Sequence, residues 1–182
     1  MTFSALFSPR HSILLLALLW LFTANHALAS APKAYHLSPE VNGQLFRLDK
    51  PLSGIEVVRK LSYPNGEEIV DTTTTDRAGK FTFAEKSVSE LAQGSKHHES
   101  QAIQLIVAKW RNNYHTLWLL RPSSGQQDTT ITQKLGVLRC DLTDTEASYI
   151  LKSDKYDNSK HLLYSVCDID GTRATLRYSW TM

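Results

Sequence analysis

The sequence predicts an all-β protein built as an antiparallel β-sandwich of about seven or more strands. Three observations predict this class. Short runs of β-branched and aromatic residues alternate at period two, clusters of turn residues separate these runs, and two cysteines lie in the second half of the 182-residue chain. An apolar segment near the N-terminus does not follow this alternating pattern.

The first 29 residues are predicted to be a signal peptide, cleaved between Ala29 and Ser30. A basic residue precedes an apolar run at residues 12–22, and residues 27–29 have the small-x-small pattern that signal peptidase requires. The run is shorter than the roughly 20 apolar residues that a membrane-spanning helix needs, which disfavours a retained anchor. We therefore expect a periplasmic or secreted protein, with residues 30–182 as one β-sandwich domain and no stable membrane insertion after cleavage.

The charge composition bears on the kind of partner. Twenty Lys and Arg residues face 18 Asp and Glu residues, for a formal net charge of +2. This near balance, without a run of like charges, argues against a nucleic-acid or anionic-lipid binder, which would need a basic patch or stripe.

The two cysteines, Cys140 and Cys167, are predicted to form a disulfide, because an even number of cysteines in an exported chain is typical of paired cysteines. In the chain-entropy model such a bond stabilises the fold by roughly 3–4 kcal/mol. Two separate buried thiols are the alternative. Metal binding by the pair is disfavoured, since there is no C-x-x-C motif and no histidine pair nearby.

The first half of the mature chain predicts three strands with turns between them. An Asn-Gly pair at residues 65–66 lies between two extended runs, which strongly favours a hairpin. In the run before it, period two places Ile55, Val57, Leu61 and Tyr63 on one face. The predicted strands are residues 41–48, 55–63 and 68–75, and the predicted turns are residues 50–54 and 64–66.

The stretch TTTTDRAGKFTF at residues 72–83 predicts a strand, a tight turn and another strand. Threonine favours a pleated strand. Asp76 is expected to accept hydrogen bonds from backbone amides that follow it, and Gly79 to supply a positive φ. Phe81 and Phe83 are two residues apart, so both are expected to face the core.

The second half of the chain predicts further strands with less regular connections. Residues 87–93 are interpreted as a short helix or a loop, 96–99 as a polar bend, 101–110 and 115–120 as a hairpin, 122–130 as a loop, 131–142 as a strand carrying Cys140, 143–160 as ambiguous, and 161–169 with 172–181 as a last hairpin with Cys167 on its first strand.

The pattern Pro51-Leu52-x-Gly54-x-x-Val57, followed by Thr75-Asp76-x-x-Gly79-x-Phe81-x-Phe83, resembles the carboxypeptidase regulatory-like domain. This resemblance implies a transthyretin-like (prealbumin-like) or immunoglobulin-like sandwich in which residues 40–85 form the regulatory-like core. Residues 86–182 would add family-specific strands and the disulfide. The second half, with Leu138-x-Cys140-x-Leu142 and a later cysteine, resembles a group of short exported proteobacterial proteins that pair this domain start with two cysteines near the end. The resemblance implies an accessory domain, not a peptidase.

No catalytic residue is predicted. The chain has no Gly-x-Ser-x-Gly elbow and no glycine-rich phosphate loop, and a disulfide would consume both thiols. The Tyr-Arg-Gly-Ser ending of the transthyretin-like hydrolases is also missing. We therefore expect a protein that is not an enzyme and has no cofactor.

His97 and His98 are weak candidates for a metal site. Adjacent histidines on a strand point to opposite faces, and on a bend they diverge, so one such pair without a third placed ligand favours a solvated polar bend.

Trp110, Tyr114 and Trp118 surround one predicted hairpin and are weak candidates for a binding surface. Aromatic side chains anchor many protein contacts, although core packing of each tryptophan is the competing interpretation. From the whole sequence we expect a non-enzymatic exported β-sandwich protein that binds another envelope or secreted protein. One alternative is a periplasmic inhibitor or immunity protein against a toxin or lytic enzyme, and another is a weak metal-binding protein or carrier.

Overall fold

The structure, a computed structural model, describes residues 34–62, 68–89, 102–121, 128–153, 160–169 and 172–173. These residues belong to one compact unit, Lys33–Met182. The strands are β1 (Ala34–Ser38), β2 (Val41–Arg47), β3 (Lys50–Pro51), β4 (Glu56–Ser62), β5 (Glu68–Thr74), β6 (Lys80–Phe83), β7 (Lys86–Ser89), β8 (Ile103–Trp110), β9 (Asn113–Leu120), β10 (Leu138–Asp141), β11 (Ala147–Lys152), β12 (Lys160–Ser165) and β13 (Thr172–Arg173), and the helix is α1 (Thr129–Leu135). The predicted all-β class is confirmed.

The described strands form three sheets. The largest has the order β13-β11-β12-β9-β8-β4-β5, and a second has the order β10-β2-β3 with β6 also paired to β2. A two-stranded sheet pairs β1 with β7. The pairings are antiparallel except that β10 runs parallel to β2.

One hydrophobic core lies between the two larger sheets. Period-two burial on β4 and β8 directs Val57 and Ile106 inward, while β2 and β6 contribute Leu45 and Phe81 from the other side. All four side chains belong to the same cluster of buried residues. Because strands of both sheets share this cluster, the sheets face one another as a sandwich, as predicted.

The turn between β5 and β6 forms as the sequence predicts. One carboxylate oxygen of Asp76 accepts hydrogen bonds from the backbone N–H groups of Ala78 and Lys80, each at 2.8 Å. Gly79 has a φ of 78°, and a Cβ there would lie 2.5 Å from the carbonyl oxygen of Leu45. The turn carries the chain from the seven-stranded sheet to the four-stranded sheet, where Phe81 enters the core.

The first turn differs from the prediction. The chain reverses at Leu48 and Asp49, whose φ values are 52° and 59°, and Lys50–Pro51 already pairs back onto β2. Residues with side chains rarely occupy this left-handed region. Here the carboxylate of Asp141 accepts hydrogen bonds from both backbone N–H groups, at 3.2 and 2.8 Å, and stabilises the turn. No local sequence signal encodes this contact.

The prediction of one strand over residues 131–142 is wrong, because α1 occupies Thr129–Leu135 and only Leu138–Asp141 is extended. Asp128 caps the helix by accepting hydrogen bonds from the backbone N–H groups of Thr130 and Ile131. Ile131 and Leu135 are both buried and, being four residues apart, share one helical face. The predicted loop at 122–130 therefore ends in a helix.

Two connections in the second half also differ from their predictions. The range 87–93, interpreted as a short helix or a loop, begins instead within a strand, since Lys86–Ser89 pairs with β1; residues 90–93 lie outside the described part of the chain. The ambiguous region 143–160 contains β11, which lies between β12 and β13. Residues 172–173, which the predicted last hairpin pairs with β12, pair with β11 instead, so that prediction is wrong for them; residues 174–181 lie outside the described part of the chain.

Cys167 follows β12 instead of lying on it, which also differs from the prediction. The N–H of Val166 donates to the carbonyl of Thr116 on β9, and the N–H of Asp168 donates to the carbonyl of Arg139 on β10. The chain thus leaves one sheet for the other after Ser165.

The Asn-Gly turn at 64–66 lies outside the described residues, although β4 and β5 on either side of it pair in antiparallel register. Residues 1–33, with the predicted signal peptide and the Ala29–Ser30 cleavage site, and residues 174–182 also lie outside. Within the described part of the chain, no helix has the length and hydropathy to span a membrane.

Candidate functional site

One end of the sandwich carries a group of cationic and aromatic side chains, which we call the Trp110 cluster. It consists of Arg47, Trp110, Arg111 and His115. Arg47 ends β2 of the four-stranded sheet, and Trp110 ends β8 of the seven-stranded sheet. Arg111 lies in the turn between β8 and β9, where its φ is 55°, and His115 lies on β9. Both sheets therefore contribute to the cluster.

Strand periodicity explains why Trp110 and His115 meet. Trp110 is two residues beyond the buried Ala108, so both side chains are on the core side of β8. His115 pairs directly with Ala108 and therefore lies on the same face. The rings of Trp110 and His115 have centroids 6.5 Å apart. Because β8 ends here, the indole of Trp110 stays half-buried rather than fully enclosed.

Two guanidinium groups lie against the indole of Trp110. The Cζ atom of Arg47 is 4.9 Å from the ring centroid, and that of Arg111 is 4.4 Å from it. Each such contact stabilises by about 0.5–1 kcal/mol at an exposed site. Among the residues that the structure describes, no carboxylate pairs with either arginine. The cluster is therefore a local concentration of positive charge, in which the two cations repel each other.

Two polar atoms of the cluster are buried without a hydrogen-bond partner in the described part of the chain: Nε of Arg47 and Nε2 of His115. Most buried polar atoms in folded proteins have a partner. Both atoms lie in the cluster beside the half-buried Trp110, and because they are buried a ligand could reach them only if neighbouring side chains moved.

The three aromatic residues proposed from the sequence do not lie together. Trp118 is 0% exposed and donates from Nε1 to the side-chain oxygen of Gln104 at 3.2 Å, so it is a core residue and not part of a surface. Tyr114 is 66% exposed and pairs with Lys109, whose ammonium lies 5.9 Å from its ring, on the opposite face of the hairpin. Only Trp110 belongs to the cluster.

The other predicted site residues have different outcomes. Cys140 and Cys167 form the expected disulfide. His97 and His98 lie outside the described residues, and no group of metal-ligating side chains occurs within the described ones. Sequence reasoning missed Arg47 and Arg111. Arg111 follows Trp110 directly, a local signal that could have been used, whereas Arg47 is distant in sequence.

A second polar feature is a cavity of about 300 Å³ near the disulfide, lined in part by Asp141, Thr143, Tyr149 and Cys167. The Asp141 carboxylate accepts hydrogen bonds from the N–H groups of Leu48 and Asp49 and from the N–H and hydroxyl of Thr143. Burial raises the pKa of Asp141, but these hydrogen bonds outweigh it and lower the pKa from 3.8 to about 2. Asp141 is thus an ionised structural group, unsuited to proton transfer near neutral pH.

We expect Asp141→Asn to reduce the free energy of unfolding at neutral pH by about 1–2 kcal/mol, after allowance for solvent screening. The folded-state pKa lies below the unfolded value, so the stabilisation is present above pH 4 and is lost as the pH falls towards 2. Urea unfolding at neutral pH and at pH 2 should show a difference between variant and wild type that narrows at low pH. Asp144→Asn, a change at an exposed neighbour, is the control and should have little effect. A pH-independent difference would contradict this role.

His161, Ser153 and Asp128 lie together but do not form a nucleophilic relay. The hydroxyl of Ser153 donates to Oδ2 of Asp128 at 2.6 Å, and Nε2 of His161 lies 3.2 Å from the same oxygen. A nucleophilic serine must instead give its hydrogen to the histidine. Since Asp128 also caps α1, the group stabilises the helix N-terminus.

Comparison with known proteins gives one family. No curated protein and no solved structure shows detectable similarity to the chain. Residues 41–145 match the profile of a domain of unknown function, DUF6795, and this segment includes the whole Trp110 cluster and Cys140. Because the match covers more than half of the chain, the protein belongs to the DUF6795 family.

Proposed function

We propose that this is an exported, non-enzymatic β-sandwich protein that binds another envelope or secreted protein through the Trp110 cluster. The observation that carries the proposal is the pair of arginines, Arg47 and Arg111, stacked on a half-buried tryptophan without a carboxylate partner among the described residues. Tryptophan and arginine are among the residues most enriched at the energetic centres of protein interfaces.

Export is supported by two independent features. The N-terminal pattern ending at residues 27–29 fits a cleaved signal peptide. The Cys140–Cys167 disulfide fits an oxidising compartment, since such bonds rarely persist in a reducing cytosol. The resemblance of residues 40–85 to the carboxypeptidase regulatory-like domain stays a prediction, and it agrees with an accessory role.

The non-enzymatic role is supported by the structural hydrogen bonds of the polar groups that would be the best candidates for catalysis. Asp141 is held ionised by backbone and side-chain donors. The hydroxyl of Ser153 donates to the carboxylate that caps α1. These groups therefore have structural roles within the described part of the protein.

The test is light crosslinking of tagged wild-type protein in the native envelope, followed by identification of what it captures. We expect one dominant protein partner and a mature chain that begins at Ser30. Trp110→Ala should weaken capture by about tenfold or more. Tyr114→Ala, which removes an exposed aromatic ring from the opposite face of the same hairpin, is the matched control and should leave capture unchanged.

Circular dichroism of Trp110→Ala must first show an intact fold, because the indole also packs against the core. Equal capture by Trp110→Ala and wild type would exclude the Trp110 cluster as the binding surface. A toxin or lytic enzyme as the captured partner would identify the inhibitor or immunity alternative. Reproducible turnover of a substrate by the purified protein would refute the non-enzymatic assignment.

A further inference from the structure

We propose that the Trp110 cluster recognises carboxylates, and that its partner presents an acidic protein segment to Arg47 and Arg111. This inference rests on the proposed protein-binding function and gives that function a chemistry.

The other arginines that stack on an aromatic ring in the described structure each bind an aspartate. Arg59 lies 5.0 Å from the Phe83 ring centroid and donates to Asp71 at 2.6 Å. Arg139 lies 4.1 Å from the Phe46 ring centroid and donates to Asp49 at 2.9 Å. In both cases a guanidinium that lies over an aromatic ring also binds a carboxylate.

Arg47 and Arg111 also lie over an aromatic ring, but they lack the aspartate partner that Arg59 and Arg139 have. Both guanidiniums are held against Trp110, and neither has a carboxylate partner in the described part of the chain. The N–H groups of a planar guanidinium match the two oxygens of a carboxylate. Two arginines on one indole are therefore oriented before a ligand arrives, which lowers the entropy cost of binding.

The unpaired Nε of Arg47 indicates that the guanidinium is not satisfied within the chain. The acid closest to it in sequence, Asp49, already binds Arg139. Because that nitrogen has almost no exposed surface, a carboxylate from a partner would have to bind the other nitrogens of the guanidinium. It would also reduce the repulsion between the two cations on Trp110.

A polyphosphate partner fits these observations less well. Nucleic acids and anionic lipid surfaces are bound by extended stripes of cations. Here the charge is local, and the chain as a whole has only two more basic than acidic residues. The carboxylate is also the acceptor that the other stacked arginines already bind in this fold.

The test measures binding of a fluorescein-labelled oligoglutamate peptide to purified residues 30–182 by fluorescence anisotropy, with oligoglutamine as the uncharged control. We expect binding of oligoglutamate only, weakened by added salt. Arg47→Gln and Arg111→Gln should each weaken it about fivefold or more. Arg121→Gln is the matched control, because it removes one positive charge just beyond the opposite end of β9, and it should change the affinity less than twofold.

Failure to bind oligoglutamate, equal binding of oligoglutamine, or equal losses from all three arginine changes would overturn the inference. Tighter binding of inorganic polyphosphate than of oligoglutamate would overturn it in favour of a phosphate ligand. Capture of the native partner distinguishes failure of carboxylate recognition from failure of the proposed protein-binding function. Loss of capture in Trp110→Ala with full capture in the Arg47→Gln/Arg111→Gln double variant would retain the proposed function and reject carboxylate recognition.

Discussion

Replacing Arg59 with alanine is expected to lower the free energy of unfolding by about 3–5 kcal/mol, because it leaves a partly buried carboxylate without its main partner. Arg59 is a charged residue that is only 2% exposed, because it lies on the buried face of β4 between two apolar core positions. For a domain whose total stability is about 5–15 kcal/mol, a loss of this size would be a large part of the whole.

The contacts of Arg59 explain this expected loss. It donates to the Asp71 carboxylate of β5 from two nitrogens, at 2.6 and 3.2 Å. It also donates to the carbonyl of Ala84 at 2.8 Å and to the hydroxyl of Ser38 at 3.4 Å, at the end of β1. One side chain therefore connects the seven-stranded sheet to the segments that lead into the two-stranded sheet. In Arg59→Ala, Asp71 would keep only Lys86, at 3.1 Å.

Urea unfolding monitored by tryptophan fluorescence tests this prediction, with Lys60→Ala as the matched control. Lys60 is the next residue on the strand, on the opposite face, and pairs with Glu68 at 2.6 Å with both side chains partly exposed. Removing such a surface pair costs at most about 1 kcal/mol. Similar losses in the free energy of unfolding would show that the buried Arg59 contributes no more to stability than a surface ion pair does.

Acid titration provides a second readout for Arg59. Burial raises the pKa of Asp71, but hydrogen bonds and charge from Arg59 and Lys86 outweigh it and lower the pKa below 3.8. The folded-state pKa is thus the lower one, so the carboxylate stabilises the fold above its unfolded pKa and loses this effect as the pH falls. In Arg59→Ala, stability should depend less on pH in this acid range. An unchanged acid dependence would assign the low pKa to Lys86 alone.

The burial of Arg59 is a feature that the sequence did not predict. The period-two pattern correctly placed Val57 and Leu61 on the buried face of β4, and Arg59 lies between them on that same face. A charged residue at such a position breaks the apolar pattern of that face. Its burial depends on Asp71 and on two other segments, and nothing within β4 encodes those contacts.

Features that depend on neighbouring residues could be predicted from the sequence, whereas contacts between distant segments could not. The Asp76–Gly79 turn and the β8–β9 hairpin follow from turn residues and alternation that lie side by side in the sequence. The helix α1 was missed because its β-branched residues, three threonines and Ile131, favour a strand, while its cap and the burial of Leu135 favour a helix. The Trp110 cluster was found in part, since Arg47 reaches it from the other sheet.

The other large effect concerns the disulfide. We expect the double variant Cys140→Ala/Cys167→Ala to unfold with a free energy lower by about 3–4 kcal/mol, because the bond restricts the unfolded chain between positions 27 residues apart. The bond also joins the two halves of the sandwich. Cys140 lies on β10 of the four-stranded sheet, and Cys167 follows β12 of the seven-stranded sheet.

Urea unfolding with and without dithiothreitol measures this contribution. The wild-type protein should lose stability in the reductant, whereas the cysteine-free double variant should give the same curve in both conditions and serves as the control for other effects of dithiothreitol. A thiol titration in denaturant should find no free thiol in the wild type before reduction. Two titratable thiols, or coincident wild-type curves with and without reductant, would show that the bond is not formed or does not stabilise the fold.

Burial adds a kinetic consequence. The side chains of Cys140 and Cys167 belong to residues that are 0% and 1% exposed, within the main core. Thiol–disulfide exchange requires a thiolate to reach one sulfur of the bond, so a reductant must wait for the native structure to open. We therefore expect slow reduction under native conditions and much faster reduction as urea approaches the unfolding midpoint. A reduction rate that does not depend on urea would mean that the two sheets separate locally around the disulfide without global unfolding.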